Sequence, residues 1–174
     1  MLYLESTTGI RRGELVALLW DDLDLEKQTL RISKSAGRIN GEVKVTQPKT
    51  ANLVRTIFLP EETVNLLIQE HTKHPGNPIM FPSTVTGKLY GPDCIGRLHK
   101  TLLKKAGITE NIPFHGLCHT FATLAIQQGT DAKTVSSILG HYSAGFTLDT
   151  YTHVTNEMQK EAAQRMGSFK AQAV

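Results

Sequence analysis

The sequence predicts an α+β fold that is mostly helical and carries one small three-stranded antiparallel sheet. Three short segments that alternate or are rich in β-branched residues lie close together, at 29–33, 42–45 and 53–58. Gly37, Asn40-Gly41 and Pro48 supply the turns between them. From Pro60 onward, apolar residues recur at the spacing of amphipathic helices. These patterns indicate a sheet near the start of the chain and helices after it.

The helices are predicted from apolar spacing and from residues that favour helix ends. Residues 1–8 have the pattern of the end of an apolar helix entering Gly9, and a short helix follows over 11–19. Pro60 suits a first helical position, and a helix beginning near Asp131 should end at Gly140. The remaining helices are predicted over 92–105, 116–128, around Tyr151, and over 156–166. Because residues 1–8 lack an N-cap and first turns, we expect a truncated start.

Composition limits the possible classes of protein. With 174 residues, 40% hydrophobic and 20% charged, the chain fits one globular domain. No stretch approaches the ~20 apolar residues of a membrane span, and the N-terminus does not resemble a signal peptide because Glu5 interrupts its apolar run. The two cysteines form no disulfide framework and fit a reducing cytoplasm. We therefore expect a cytoplasmic protein that does not use a membrane.

The positive charge is unevenly distributed, although the net charge is only +3. Basic residues cluster between residues 31 and 55 and again between residues 97 and 105. Such clusters suit a polyanion such as DNA, although they also occur on solvated faces with no ligand. The residues expected to contact DNA are Arg12, Arg38, Lys44, Arg55, Arg97 and Lys100.

Five short segments carry residues that suit the cleavage of a phosphodiester bond without a metal. Such a reaction needs cations on the phosphate, a nucleophile, and an acid for the departing oxygen. Arginine suits the first role because its planar fork keeps its charge, and a tyrosine hydroxyl can serve as nucleophile. In chain order the segments are Thr8-Gly9-Ile10-Arg11, Pro48-Lys49-Thr50, His115-Gly116-Leu117-Cys118-His119, Leu139-Gly140-His141 and Thr150-Tyr151.

The order of these segments resembles the catalytic signature of the tyrosine recombinases, the phage-integrase family. The resemblance covers nearly the whole chain and implies that residues 1–174 form the catalytic domain, without the N-terminal core-binding domain of full-length relatives. It implies site-specific recombination or integration of a bacterial or phage mobile element through a 3′-phosphotyrosyl DNA intermediate. It further implies double-stranded DNA as partner, a tetramer of full-length relatives on DNA, a monomeric isolated domain, and neither cofactor nor metal.

The same resemblance implies a role for each candidate residue. Tyr151 is the expected nucleophile, and Arg11 is expected to hold the phosphate. Lys49 is expected to protonate the leaving 5′-oxygen, with Lys44 as the competing lysine. The remaining assignments are His115 for proton transfer and His141 for a hydrogen bond to a phosphate oxygen.

The chain departs from the family pattern at Cys118, where the pattern His-x-x-Arg has its second arginine. Cysteine is short and uncharged, so it cannot hold a phosphate as arginine does. Losing one preorganised donor to a developing oxyanion typically costs ~10²–10³ in rate. We therefore expect a recombinase that is severely impaired or inactive.

Several other interpretations remain open at this level. The chain could be a non-catalytic DNA-binding remnant, or a relative of the type IB topoisomerases. Arg11, Arg12 and Glu14 could form only an ion-paired helix surface, and Tyr142 competes with Tyr151. Cys118 could itself be a nucleophile at a helix N-terminus. Zinc is disfavoured, and His119 is expected to be a buried packing residue. The residues considered for zinc are His115, Cys118, His119, His141 and His153.

Overall fold

The computed structural model describes residues 1–47 and 53–141, together with Gly145 and Lys160. Lys49, Tyr142, Tyr151, His153 and the helices predicted after residue 141 lie outside the described residues. The described helices are α1 (Leu2–Thr8), α2 (Arg12–Val16), α3 (Glu61–His71), α4 (Pro92–Lys105), α5 (Gly116–Gln127) and α6 (Ala132–Leu139). None of them is long and apolar enough to span a bilayer.

Helix α2 is shorter than the sequence predicts. It ends at Val16, and after a turn the chain enters a 3-10 helix over Trp20–Asp22. The backbone at this point pairs with a distant segment instead of continuing the helix. The Leu18 carbonyl accepts from the Met80 N–H at 3.0 Å, and the Trp20 N–H donates to the Pro78 carbonyl at 3.0 Å. Tertiary pairing therefore replaces the last helical turn.

The predicted α+β class is confirmed, and the three-stranded antiparallel sheet is present with a different membership. Its strands, in spatial order, are β1 (Leu23–Asp24), β2 (Thr29–Ile32) and β5 (Arg55–Phe58). The segment at 42–45, expected in this sheet, instead forms β4 (Glu42–Thr46) and pairs with β3 (Ser35–Ile39). The turn at Asn40-Gly41, where both residues have positive φ, closes this separate hairpin.

One apolar cluster joins the sheet to the first four helices. Leu30, Ile32 and Ile57 from the sheet pack with Leu4, Leu15, Val64 and Ile95 from the helices. A second, smaller cluster lies between α5 and α6 and contains Ala122, Ile126, Val135 and Leu139. Helix α1 contacts α5, so it lies beside this second cluster.

Two helix ends bring the first and last described helices close to each other. Helix α1 ends at Gly9, where φ is 62°, and a Cβ at this position would overlap Leu139 and Phe121. Helix α6 begins at Asp131, whose side chain accepts from the Thr134 N–H, and it ends at Gly140 with φ 64°. Both ends agree with the sequence prediction, because glycine is the residue that tolerates the left-handed conformation. They place Arg11 next to the end of α6.

Candidate functional site

An open cleft of about 780 Å³ contains most of the candidate site residues that the structure describes. It lies between the loop after α1, one side of α4 and the first turn of α5. Its charged and titratable lining residues are Glu5, Arg11, Arg12, Asp93, Arg97, His99, Lys100, His115, Cys118, His119 and His141. Cations outnumber carboxylates here, so the cleft suits an anionic ligand.

Arg11 lies at the boundary between the cleft and the protein core, with 41% of its side chain exposed. Its Nη2 donates to the Gly140 carbonyl at 2.9 Å, and its Nη1 donates to Glu14 Oε1 at 3.2 Å. The backbone N–H of Arg11 also donates to Glu14 Oε2 at 3.0 Å. These bonds fix the guanidinium on one side and leave part of it open to the cleft, as a preorganised phosphate donor requires.

Glu14 holds a second guanidinium, that of Arg55, on strand β5. Arg55 donates from Nη1 to Glu14 Oε1 at 3.0 Å and from Nη2 to Oε2 at 2.8 Å. Its Nε donates to the Ile138 carbonyl at 2.6 Å. Burial alone would raise the pKa of Glu14, but hydrogen bonds from Arg55 and Arg11 lower it below its usual value. Because Glu14 is buried and charged, the interpretation that it belongs only to an ion-paired helix surface is wrong.

Arg55 therefore does not occupy the exposed, DNA-contacting position that the sequence suggests. Its side chain is only 7% exposed, and all three of its guanidinium nitrogens donate to Glu14 or to Ile138. A cation held in this way cannot reach a duplex at the surface. We correct its role to one of positioning, because it joins β5 to α2 and to the end of α6.

The first turn of α5 turns the positive end of the helix dipole toward the cleft, while its Gly116 and Leu117 N–H groups donate to the Pro113 and Phe114 carbonyls at 2.9 and 3.1 Å. His115 precedes the helix and is exposed, and Cys118 lies within the first turn. The rings of His115 and His119 meet edge to face with centroids 5.6 Å apart. His119 is exposed, so the expectation that it is a buried packing residue is wrong. The buried histidine of this region is His99, which contacts Phe114.

Cys118 is partly buried, and its environment does not favour a reactive thiolate. The pKa of its thiol is raised to about 11, mainly because the thiol is buried, against the opposing effect of Arg11 and Arg55. The thiol therefore stays protonated at neutral pH. An activated thiolate needs a lowered pKa, so this environment does not favour the alternative in which Cys118 is a nucleophile.

His141 lies at the end of α6, next to the carbonyl that Arg11 contacts. Its backbone N–H donates to the Ser136 carbonyl at 3.0 Å. Burial lowers the pKa of its imidazole, and the neighbouring Arg11, Arg55 and His119 lower it further. A neutral imidazole in this position can donate one hydrogen bond to an anion in the cleft. The structure thus brings Arg11, His115, Cys118 and His141 around one space.

The remaining expected DNA contacts fall into two groups. Arg12, Arg97 and Lys100 are exposed and line the cleft. Arg38 and Lys44 lie on the β3–β4 hairpin, where Arg38 is 3.5 Å from Asp93 and Lys44 is 3.5 Å from Glu42. Both side chains are about half exposed, so these ion pairs are weak and can yield to a phosphate.

Lys49 and Tyr151 lie outside the described residues. Gln47 and Leu53, on either side of the segment that holds Lys49, line a cavity of about 250 Å³ with Arg11 and Glu14. His141, ten positions before Tyr151, lines the central cleft.

Two features of the site are not predicted by the sequence. The Glu14–Arg55 pair joins residues 41 positions apart, and nothing in the spacing of either residue indicates the other. Glu5 interrupts an apolar run in the sequence, yet it is 1% exposed and lines the cleft. The sequence signal that could have identified Glu5 is its position as an acidic residue on the apolar side of α1, one turn before Gly9.

Among the described residues, no group of three potential ligands could hold a metal ion.

Comparison with known proteins gives consistent matches. A model described as the phage integrase family matches residues 1–158. The tyrosine recombinase XerC of Listeria monocytogenes is 36% identical over 156 residues, which are 88% of this chain and 48% of that protein. The ICEBs1 integrase of Bacillus subtilis is 31% identical over 170 residues, which are 91% of this chain and 45% of that protein. The chain thus spans about half the length of these relatives.

Solved structures share the same fold. The XerA recombinase is 28% identical with a TM-score of 0.71, and the match covers 94% of this chain and 55% of that one. The integrase of transposon Tn1549, solved in complex with circular intermediate DNA, is 25% identical with a TM-score of 0.81 and covers 95% and 58%. Sequence and fold agree over nearly all of the chain, which belongs to the phage integrase family of tyrosine recombinases.

Proposed function

We propose that this chain is the catalytic domain of a DNA tyrosine recombinase whose activity is impaired at Cys118. The observation that carries the proposal is the convergence of Arg11, His115 and His141 on one cationic cleft, with Cys118 in the first turn of the helix beside them. Because the chain spans about half the length of these relatives, recombination by the whole protein is part of this proposal. Solved relatives bound to DNA support double-stranded DNA as partner.

The proposed reaction begins with phosphate binding in the cleft. Arg11 would donate to the phosphate through the part of its guanidinium that faces the cleft, while Glu14 and Gly140 hold the other part. The imidazole of His141 would add a hydrogen bond, and the positive end of the α5 dipole would favour the negative charge of the phosphate. Without a cation at position 118, the negative charge that develops on the phosphate is balanced less well.

Tyr151 would attack the phosphorus and form a 3′-phosphotyrosyl bond as the bond to the 5′-oxygen breaks. Lys49 would protonate that departing 5′-oxygen, and His115 would assist proton transfer. Lys49 is preferred to Lys44 because its flanking residues line a cavity with Arg11, whereas Lys44 pairs with Glu42 at the surface. A 5′-hydroxyl from a partner strand would then attack the phosphotyrosyl bond, and a tetramer would be needed to align the strands.

The experiment that tests this function is covalent trapping on a nicked suicide duplex made from the ends of the chain's own element. The parent chain, Cys118→Arg, Tyr151→Phe and the Cys118→Arg/Tyr151→Phe double variant are incubated with labelled DNA, and the adduct is measured on a denaturing gel. We expect Cys118→Arg to raise the rate of adduct formation at least about 10²-fold. The double variant should form none, which is the control for attack by Tyr151.

Two outcomes would contradict the proposal in different ways. An adduct that forms at the same rate in the parent and in Cys118→Arg would show that position 118 does not limit the reaction. No adduct from any variant, with duplex binding indifferent to Tyr151→Phe, would favour the second candidate, a DNA-binding remnant without catalysis. The observation that favours this second candidate is Cys118 itself.

A further inference from the structure

Helix α1 carries an acidic residue, Glu5, that has no role in the proposed reaction. Glu5 is 1% exposed, and within the described part of the chain neither of its carboxyl oxygens has a hydrogen-bond partner. Burying a charged carboxylate without a partner is strongly unfavourable. Burial accordingly raises the pKa of Glu5 to about 8, so its carboxyl group is protonated at neutral pH.

The surroundings of Glu5 point to the partner that is missing. Helix α1 packs against α5, and Glu5 lines the cleft together with Cys118. Of the two buried glutamates in the described chain, Glu14 holds two guanidinium groups and Glu5 holds none.

We propose that Glu5 is a positioning residue whose partner is a guanidinium group carried by residue 118, and that Cys118 leaves this ion-pair site without its cation. An arginine at 118 has five N–H donors, enough to bond Glu5 and still reach a phosphate in the cleft. Glu5 would thereby fix this arginine as Glu14 fixes Arg11. The inference rests on the proposed function only in taking arginine as the residue that matches position 118.

The proposal has a consequence for pH. In the parent chain the folded state keeps the Glu5 proton between about pH 4.5 and pH 8, whereas the unfolded state loses it near pH 4.5. The folded state therefore binds one more proton in this window, and the Glu5 contribution to stability falls as the pH rises through it. A cation at 118 would lower the pKa of Glu5 and remove this fall.

Charged and titratable groups of three other helices, α2, α3 and α5, also lie around helix α1. On α5 the titratable groups near Glu5 are His115, Cys118 and His119, and on α2 and the loop before it the charged groups are Arg11 and Glu14. On α3, Glu62 acts on Tyr3 and Glu70 acts on the N-terminal amine, both elsewhere on α1. The Glu5→Gln variant isolates the contribution of Glu5 from the contributions of these other groups.

The first experiment measures the thermal midpoint of the full chain between pH 5 and pH 8.5. The proteins are the parent, Glu5→Gln, Cys118→Arg and the double variant, with Cys118→Met as an uncharged control of similar length. We expect Glu5→Gln to flatten the pH dependence of the parent and not to lower its midpoint at pH 7.5. In the Cys118→Arg background the same change should lower the midpoint by on the order of 10 °C. Equal shifts in both backgrounds would overturn the proposal.

The second experiment separates this inference from the proposed function. Adduct formation on the suicide duplex is compared for Cys118→Arg, its Glu5→Gln double variant and its Glu5→Asp double variant. Positioning predicts a loss of about tenfold or more with glutamine and partial recovery with aspartate. Thermal coupling without any adduct would support the Glu5 pair while contradicting recombinase activity. An adduct rate that ignores Glu5 would overturn the pair while leaving recombinase activity intact.

Discussion

Glu14 illustrates how one side chain can determine the geometry of the site. Its two oxygens accept from Arg55, from the Arg11 side chain and from the Arg11 backbone, at distances of 2.8–3.2 Å. Since the carboxylate is only 9% exposed, these bonds replace water almost completely. The orientation of Arg11, the proposed phosphate donor, therefore depends on a carboxylate that need not touch the substrate.

Replacement of Glu14 by glutamine is predicted to destabilise the fold. The change leaves the buried Arg55 without its countercharge, so the free energy of unfolding should fall by about 3–5 kcal/mol in urea denaturation at pH 7. The matched control is Glu42→Gln, which removes a surface ion pair with Lys44 and should cost less than about 1 kcal/mol. Equal losses for the two variants would contradict this assignment of Glu14.

The same prediction has a definite pH dependence. The pKa of Glu14 is lowered in the folded state, so its contribution to stability is complete above its ordinary value of 4.5. This contribution is lost as the pH falls through the lower folded pKa. The difference in stability between the parent and Glu14→Gln should therefore shrink in acid below pH 4.5.

At the scale of elements, the end of α6 is the point where the two arginines meet. The Gly140 carbonyl accepts from Arg11, the Ile138 carbonyl accepts from Arg55, and Gly140 has φ 64°. A Cβ on Gly140 would lie 2.8 Å from Arg55 Nη1, and Arg55 cannot move away without breaking its bonds to Glu14. Position 140 therefore favours glycine for two reasons, the left-handed backbone conformation and the lack of space for a Cβ.

This restriction predicts that Gly140→Ala is more damaging than the same change at another left-handed glycine. Gly107 has φ 74° and nothing within 4 Å of where a Cβ would lie, so Gly107→Ala should show only the conformational cost of about 1–2 kcal/mol. Gly140→Ala should cost about 1–3 kcal/mol more, because it also displaces Arg55. Denaturation curves of the two variants test this, and equal losses would contradict the packing argument.

The elements also show where sequence patterns succeed. Helices α4, α5 and α6 can be predicted because proline, aspartate and glycine mark their ends locally. The strands at 29–32, 42–46 and 55–58 are recognisable as strands, but their partners are not. Strand pairing depends on the tight turn at Asn40-Gly41, which the sequence indicates. It also depends on which apolar face of each strand packs on the core, and the spacing of residues along the chain does not indicate this.

At the scale of the whole molecule, the distribution of charge predicts how DNA binding responds to salt. Arg97 and Lys100 lie one turn apart on α4 and line the cleft, where a duplex backbone would release counterions. We expect Arg97→Ala and Lys100→Ala each to reduce the slope of log K against log salt by roughly 0.9. Fluorescence anisotropy with a non-specific duplex between about 50 and 200 mM salt measures this slope.

A control for the salt experiment is Lys27→Ala. Lys27 pairs with Asp24 at 3.1 Å and is not among the residues that line the cleft. Its replacement should leave the slope unchanged. A slope that changes as much for Lys27 as for Arg97 would mean that the chain binds DNA through its overall charge rather than through the cleft.

The composition of the site can be predicted only in part from the sequence. Arg11, His115, Cys118 and His141 are marked by short motifs in a fixed order, and the structure gathers them in one cleft. Glu5 and Arg55 have no such motif, because their roles depend on contacts between distant elements. The residues that hold the site in place are therefore harder to predict from sequence than the residues that face it.

The Glu14 network makes some positions of the site much less replaceable than others. Arg55 and Glu14 connect α2, β5 and α6, so a lineage that lost either would also lose folded protein to degradation. Cys118 stands outside this network, and a change at its position alters chemistry without breaking those bonds. A substitution at position 118 can therefore remove the proposed chemistry while the Glu14 network and the scaffold that it joins persist.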